Sequence, residues 1–144
     1  MTLVDANLLL YAYDATSRFH AAARSWLEDQ LSGAPLVGLP WSVLLAFLRI
    51  STNARALQRP LSVADATAIV SSWMDAPCVV VPAPGPGHWD ILAGLLLASQ
   101  ARGPLVSDTH LAALTLEHGG VLATTDRDFS RFEGLRVIDP LRTS

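Results

Sequence analysis

Short apolar runs alternate with longer amphipathic ones along this chain. Thr2–Val4 reads as a strand and Ala6–Tyr13 as a short helix. In His20–Leu31 (HAAARSWLEDQL) the residues Ala23, Trp26, Leu27 and Gln30 recur at helical spacing, and Gly33 follows the end. Leu36–Leu39 is a second apolar strand, after which Pro40 opens a helix over WSVLLAFLRIST. Ser62 and Asp65 form a start like a capping box for a helix to Met74. Cys78–Val81 is a β-branched strand closed by the turn PAPGPG, and His88–Ala101 a long helix ended by Gly103 and Pro104. The apolar stretch PLVS leads to a helix from Asp108 to His118, capped by Gly119 and Gly120. Val121–Thr124 and Arg136–Ile138 supply the last strands.

Strands that alternate with helices predict parallel pairing and an α/β sandwich. No internal repeat, low-complexity tract or linker interrupts the pattern, so residues 1–144 read as one domain. A chain of this length buries roughly 70% of its unfolded surface, enough for a core of its own.

In a parallel sheet with right-handed crossovers, the carboxyl ends of the strands share one edge, and function gathers there. Asp5 ends the first strand, Asp126 follows Val121–Thr124, and Asp108 begins a helix that reaches the same edge. Two readings stay open at this stage. Each aspartate alone is an ordinary helix cap. Together they are three carboxylates that repel one another unless one takes up a proton or a divalent cation joins them. Carboxylate oxygens and water are the donors that Mg²⁺ or Mn²⁺ prefers.

Composition narrows the classes. Apolar residues make up 51% and charged residues 16% of the chain, against about 25% charged in a typical soluble domain. Some apolar surface is therefore expected to serve a partner, around Trp26, Trp73 and Trp89. The net charge is −3, which offers no basic stripe for duplex nucleic acid. All 10 cationic residues are arginine, the planar fork suited to phosphate and carboxylate. Cys78 is the sole cysteine, which excludes an internal disulfide or a cysteine-based zinc cluster. The N-terminus lacks a basic start and Asp5 interrupts its apolar run, so it does not read as a signal peptide, and ILAGLLLA is too short to span a bilayer; the expected compartment is the cytoplasm.

Three segments, VDANLLLYA, SDTHLAALTLEHGG and VLATTDRDFSRF, resemble the acidic blocks of PIN-domain nucleases. With FLRIST between them, the chain is most similar to the VapC toxins of bacterial toxin–antitoxin pairs. The resemblance spans Met1 to about Pro140 and implies a PIN-like three-layer sandwich, a central parallel sheet flanked by helices. It also implies a Mg²⁺-dependent endoribonuclease, with Mn²⁺ as substitute, neutralised by a cognate antitoxin. By position, Asp5, Asp108 and Asp126 match the metal-binding catalytic acids, and Asn7, Thr125 and Asp128 the supporting polar residues. The implied substrate is tRNA or another structured RNA with an exposed single strand, and the implied assembly a homodimer. The antitoxin's C-terminal segment is expected near the Trp26 and Trp73 helices.

One family position departs. PIN domains carry a glutamate three residues before the arginine of the third helix, where this chain has Ala46 before Arg49. Ser42, Ala46, Arg49 and Asn53 share a helical stripe, so the polar face lacks its carboxylate. Asp90 is a conceivable replacement or simply a helix start. Arg49 and Arg127 suit a substrate phosphate or a partner acid. Receiver and dehalogenase-like phosphotransfer domains need a site lysine, and the chain has none. The alternative that remains is a PIN fold that binds RNA or protein without cutting.

Overall fold

The computed structural model describes residues 1–142. Five short strands, β1 (Thr2–Val4), β2 (Val37–Gly38), β3 (Val79–Val80), β4 (Val121–Ala123) and β5 (Val137–Ile138), form one sheet in the order β3-β2-β1-β4-β5. Every neighbouring pair is parallel. Six helices connect them: α1 (Ala6–Tyr13), α2 (His20–Leu31), α3 (Trp41–Ser51), α4 (Val63–Asp75), α5 (His88–Ser99) and α6 (Leu105–Glu117). Arg127–Arg131 is a 3-10 turn after β4.

The strand order fixes the layers. From β1 the chain steps outward to β2 and β3, then returns across the sheet to β4 and steps outward to β5. Right-handed crossovers on these opposite courses put α1–α4 on one face and α5–α6 on the other. The packing agrees: α1 lies against α2 and α3, α3 against α4, and α5 against α6. The reversal falls between β1 and β4, the crevice where ligands of open α/β sheets bind.

The central pair is registered by Thr2 opposite Val121, Leu3 opposite Leu122 and Val4 opposite Ala123. Leu3, Val4, Leu122 and Ala123 are fully buried, as a doubly covered parallel strand requires. The glycines where the sequence expects a C-cap build a Schellman motif: Gly119 N–H donates to the Leu116 carbonyl and Gly120 N–H to that of Thr115. Gly119 has φ +63°. A Cβ on Gly120 would come within 2.9 Å of the Met1 carbonyl oxygen, so this turn sits directly against β1.

Several elements differ from the periodicity. The regular strands are shorter at their ends, although Thr2, Val37, Leu39 and Thr124 N–H groups still donate to neighbouring chain beyond them. α5 stops at Ser99, because Gln100 adopts a left-handed conformation at φ 54°. The stretch PLVS is the first turn of α6, since Pro104 already has helical dihedrals and its missing N–H costs nothing at a helix start. Asp108 therefore stands inside the first turn instead of opening the helix.

Trp73 corrects the expected exposed patch. It is 1% exposed, with its ring 4.7 Å from Phe47 and 5.8 Å from Tyr13 between centroids. This aromatic cluster joins α1, α3 and α4, so Trp73 belongs to the core and is not open to a partner. Truncating it as Trp73→Ala should cost about 3–5 kcal/mol, a large part of the roughly 5–15 kcal/mol that holds a domain together. Urea titration followed by circular dichroism should show the midpoint falling accordingly; a loss below about 1 kcal/mol would contradict this packing.

Candidate active site

Three acids reach the crevice by different routes. Asp5 is the N-cap of α1, where its Oδ1 accepts from the Ala6 N–H at 2.8 Å. Its backbone N–H donates to the Ala123 carbonyl, which holds it beside the end of β4. Asp126 caps the 3-10 turn, accepting from the Asp128 N–H at 2.9 Å. Asp108 projects from α6 with no cap to make. Capping and convergence are thus compatible for the first two.

A buried threonine organises them. The Thr124 hydroxyl donates to Asp5 Oδ2 at 2.7 Å and accepts from the Asp126 N–H at 3.0 Å and from Asn7 Nδ2 at 3.4 Å. One donor and two acceptors are all a hydroxyl has, so it is saturated. Asn7 is left with Oδ1 buried and without a protein partner among the described residues. Thr125, the position matched by resemblance, makes no side-chain hydrogen bond among the described residues and lines a neighbouring cavity. The adjacent Thr124 was missed because two successive threonines at a strand end offer no sequence cue to which one turns inward.

The carboxylates feel one another. Burial, above all, raises the Asp5 pKa; the Thr124 and Ala6 hydrogen bonds oppose this and Asp126 adds to it. Asp108 rises from 3.8 to about 6, first through burial and then through Asp126, Asp5 and Asp128, with Arg131 opposing. Arg131 is therefore the arginine whose charge reaches Asp108, while its Nη2 lies 3.6 Å from Asp128 Oδ1. Arg49 is exposed at the end of α3, forms no ion pair among the described residues and lines neither cavity. Asp90 is likewise exposed and apart from both cavities.

Two cavities adjoin these acids. A small one of about 100 Å³ is lined by Asp5, Asp108, Ser42, Ala46 and Ser107. The Ser42 and Ala46 part of the α3 stripe therefore faces Asp5 and Asp108, with a methyl group where a carboxylate could stand. A larger one of about 370 Å³ holds Thr125, Asp126 and Arg127. Among the described residues, no three His, Cys, Asp or Glu side chains converge on one point. Asp126 lines the second cavity, whereas Asp5 and Asp108 share the first. The donor set nonetheless fits a hard divalent cation: its oxygens are carboxylates that raise one another's pKa, and an unpaired Asn7 oxygen lies beside them.

His110 turns away from the acids, as its spacing from Asp108 predicts. Its Nδ1 lies 3.0 Å from Nε2 of the buried His88 at the start of α5. Burial and then His88 lower the His110 pKa.

The PIN domain family matches residues 2–135. Ribonuclease VapC37 of Mycobacterium tuberculosis is 44% identical over 140 residues, covering 97% of each chain. Ribonuclease VapC33 of the same organism is 41% identical over 142 residues, covering 99% of each. Among solved structures, VapC20 of Mycobacterium tuberculosis, described as a Sarcin-Ricin loop cleaving toxin, superposes with a TM-score of 0.67 at 19% identity, over 94% of this chain and 99% of that one. VapBC2 from Rickettsia felis, bound to a promoter DNA fragment, gives 0.68 at 12%, over 95% and 96%. At such identities the superpositions show the shared fold.

The raised Asp108 pKa gives a signed prediction. The native carboxyl takes up a proton below about 6 while the unfolded one waits until 3.8, so between these values the native state binds more protons. Stability from this group therefore falls as pH rises from 4 to 6, and the penalty is complete above 6. In chelator-treated protein, Asp108→Asn should melt a few degrees above the parent at pH 7, with the gap closing toward pH 4; half-exposure keeps the gain small. A gap that is flat across melts from pH 4 to 7 would remove the repulsion from the account.

Proposed function

The chain belongs to the PIN-domain family, and from that premise we propose that it is the ribonuclease toxin of a toxin–antitoxin pair, acting in the cytoplasm. The observation that carries this reading is the electrostatic coupling of Asp5, Asp108 and Asp126 at the switch point of the sheet. The likeness to curated VapC ribonucleases over nearly the whole chain supports it.

Asp5, Asp108 and Asp126 would hold a Mg²⁺ or Mn²⁺ ion. When bound, such an ion supplies Lewis-acid polarisation of a phosphodiester and a water of lowered pKa. The chain's own residues set the rest. Thr124 and the Ala6 N–H fix both oxygens of Asp5, so that side chain is oriented before any ligand arrives. Asn7 Oδ1, buried without a protein partner among the described residues, keeps an acceptor free beside Asp5 and Thr124. Arg131 offsets part of the acidic field, which lets a polyanionic strand approach. In-line attack of water on phosphorus then breaks the bond to O3′, leaving a 5′-phosphate and a free 3′-hydroxyl. The substrate is tRNA or another structured RNA that exposes a single strand, because the acidic chain has little to hold a duplex.

Asp5→Asn, Asp108→Asn and Asp126→Asn should each lower cleavage of a total tRNA preparation by about 10²-fold or more, and a chelator should do the same to the parent. Cutting that persists in all three well-folded variants would mean that the site is misassigned, whereas a parent that binds RNA without cutting it would favour the second reading, a binding module, which Ala46 in the small cavity makes worth testing. Ala46→Glu should lower the Mg²⁺ concentration for half-maximal cleavage, since that cavity contains neither Asp90 nor Asp128 to repel the new charge. An unchanged titration would mean that this helix does not serve the ion.

The partners proposed are a cognate antitoxin and a second copy of the chain. Several solved relatives are toxin–antitoxin complexes. α5 buries only His88 fully, and leaves Trp89 at 67% and Leu97 at 71% exposed despite its apolar composition. Such a face suits a homodimer. Light scattering at micromolar concentration should give twice the 15.4 kDa chain mass, and Leu97→Asp should return the monomer. A monomeric parent would overturn the dimer.

A further inference from the structure

The larger cavity is separate from the pocket between Asp5 and Asp108, yet Asp126 lines it. Its walls come from the end of β4, the 3-10 turn and the segment after β5. Arg127 and Arg142 bring two guanidinium groups, Thr125 and Ser130 two hydroxyls, and Val137 an apolar surface that is 38% exposed. Neither arginine forms an ion pair among the described residues, so both forks are free for a ligand. Guanidinium groups recognise phosphate through their forked N–H donors.

A bare anion is the wrong occupant. Asp126 and Asp139 also face the space and would repel it. Their free valences define something larger: Asp139 Oδ1 already accepts from the Leu141 N–H, leaving its other oxygen to take a hydroxyl or amino donor. The complementary ligand is anionic at one end, carries hydroxyl or amino donors at the other, and has a flat or apolar part to lie on Val137. A nucleotide unit has all three. The volume of about 370 Å³ lies within the range of small-molecule sites, roughly 300–1,000 Å³.

We propose that this cavity binds the nucleotide of single-stranded RNA next to the bond that is cut, with Arg127 and Arg142 on its phosphate and Asp139 accepting from its ribose or base. This rests on the reading of the acidic crevice as an RNA-cleaving site and extends it to how the strand is held. Because Asp126 lines this cavity and its backbone is joined to Asp5 through the Thr124 hydroxyl, a nucleotide seated here delivers the adjoining phosphodiester to the acids. Arg127 and Arg142 are then positioning residues, and their removal should weaken binding more than turnover. An Asp139 contact to a ribose 2′-hydroxyl would also favour RNA over DNA.

The test uses the full chain carrying Asp5→Asn, with chelator present, and a random-sequence single-stranded RNA hexamer as probe. Adding Arg127→Gln and Arg142→Gln should weaken binding at least tenfold and flatten the slope of log K against log salt by about 0.7 for each phosphate no longer neutralised. Adding Arg55→Gln and Arg59→Gln instead removes the same charge outside both cavities and should change affinity less than threefold. In the cleaving parent, the cavity pair should act mainly on KM. Equal affinity with and without the cavity arginines would overturn the proposal, as would equal weakening in the control pair, which would mean bulk charge alone. If the parent cuts no RNA, the functional reading fails by itself, because the hexamer measurement does not depend on cleavage. Retained RNA affinity together with abolished antitoxin binding would assign the cavity to the protein partner and also overturn it. Amide shifts confined to residues 124–130 and 137–142 on adding adenosine 5′-monophosphate would support the site directly.

Discussion

The Thr124 hydroxyl joins the ends of the two central strands, and the geometry of the acidic crevice follows from it. β1 and β4 are far apart in sequence and become neighbours only because the chain crosses back over the sheet after β3. Once they pair, Thr124 stands level with Asp5, and its hydroxyl spends its proton on one carboxylate while accepting from the backbone before the other. A methyl in place of that hydroxyl would leave Asp5 half-buried with an unpaired oxygen and the Asp126 N–H without its acceptor. Buried polar groups stranded in this way cost about 1–3 kcal/mol each. The same bond fixes Asp5 in one orientation, so structure and chemistry share a single contact.

Around this contact the fold tolerates an electrostatic conflict. Asp5 and Asp108 sit where burial and like charges both disfavour ionisation, and only Arg131 offsets the field at Asp108. Perturbed carboxylates grouped in a crevice are characteristic of sites whose arrangement serves a ligand over stability. The small cavity lined by Ala46 lowers the conflict by one charge. It also leaves that wall without the carboxylate oxygens a glutamate would bring.

Apolar surface is distributed unevenly between the two faces of the sheet. The face carrying α1–α4 is sealed by Phe47, Trp73 and Tyr13 around buried leucines. The opposite face carries α5, whose residues are almost all partly or fully open. α6 covers β4 and is itself buried along Thr109 and Leu111–Thr115, which leaves α5 as an outer layer held chiefly by its neighbour. The low charged fraction is thus explained less by a larger core than by an outer helix without a polar side.

Much of this was legible in the residues themselves. The alternation of apolar runs specified parallel strands and helices, because period and turn chemistry are local properties of the chain. Asp5 and Asp126 could be placed at strand ends for the same reason, and the Gly119–Gly120 cap follows from glycine's access to left-handed dihedrals. What tertiary structure alone decided are relations between distant segments. Trp73 looked available and is buried, since only packing sets which side of an amphipathic helix meets an aromatic cluster. Thr124 serves Asp5 and Thr125 does not, because the pleat and register of β4 turn one side chain toward β1 and the next away. Arg131, and not Arg49, is the cation that acts on Asp108, since charge reaches through space and not along the sequence.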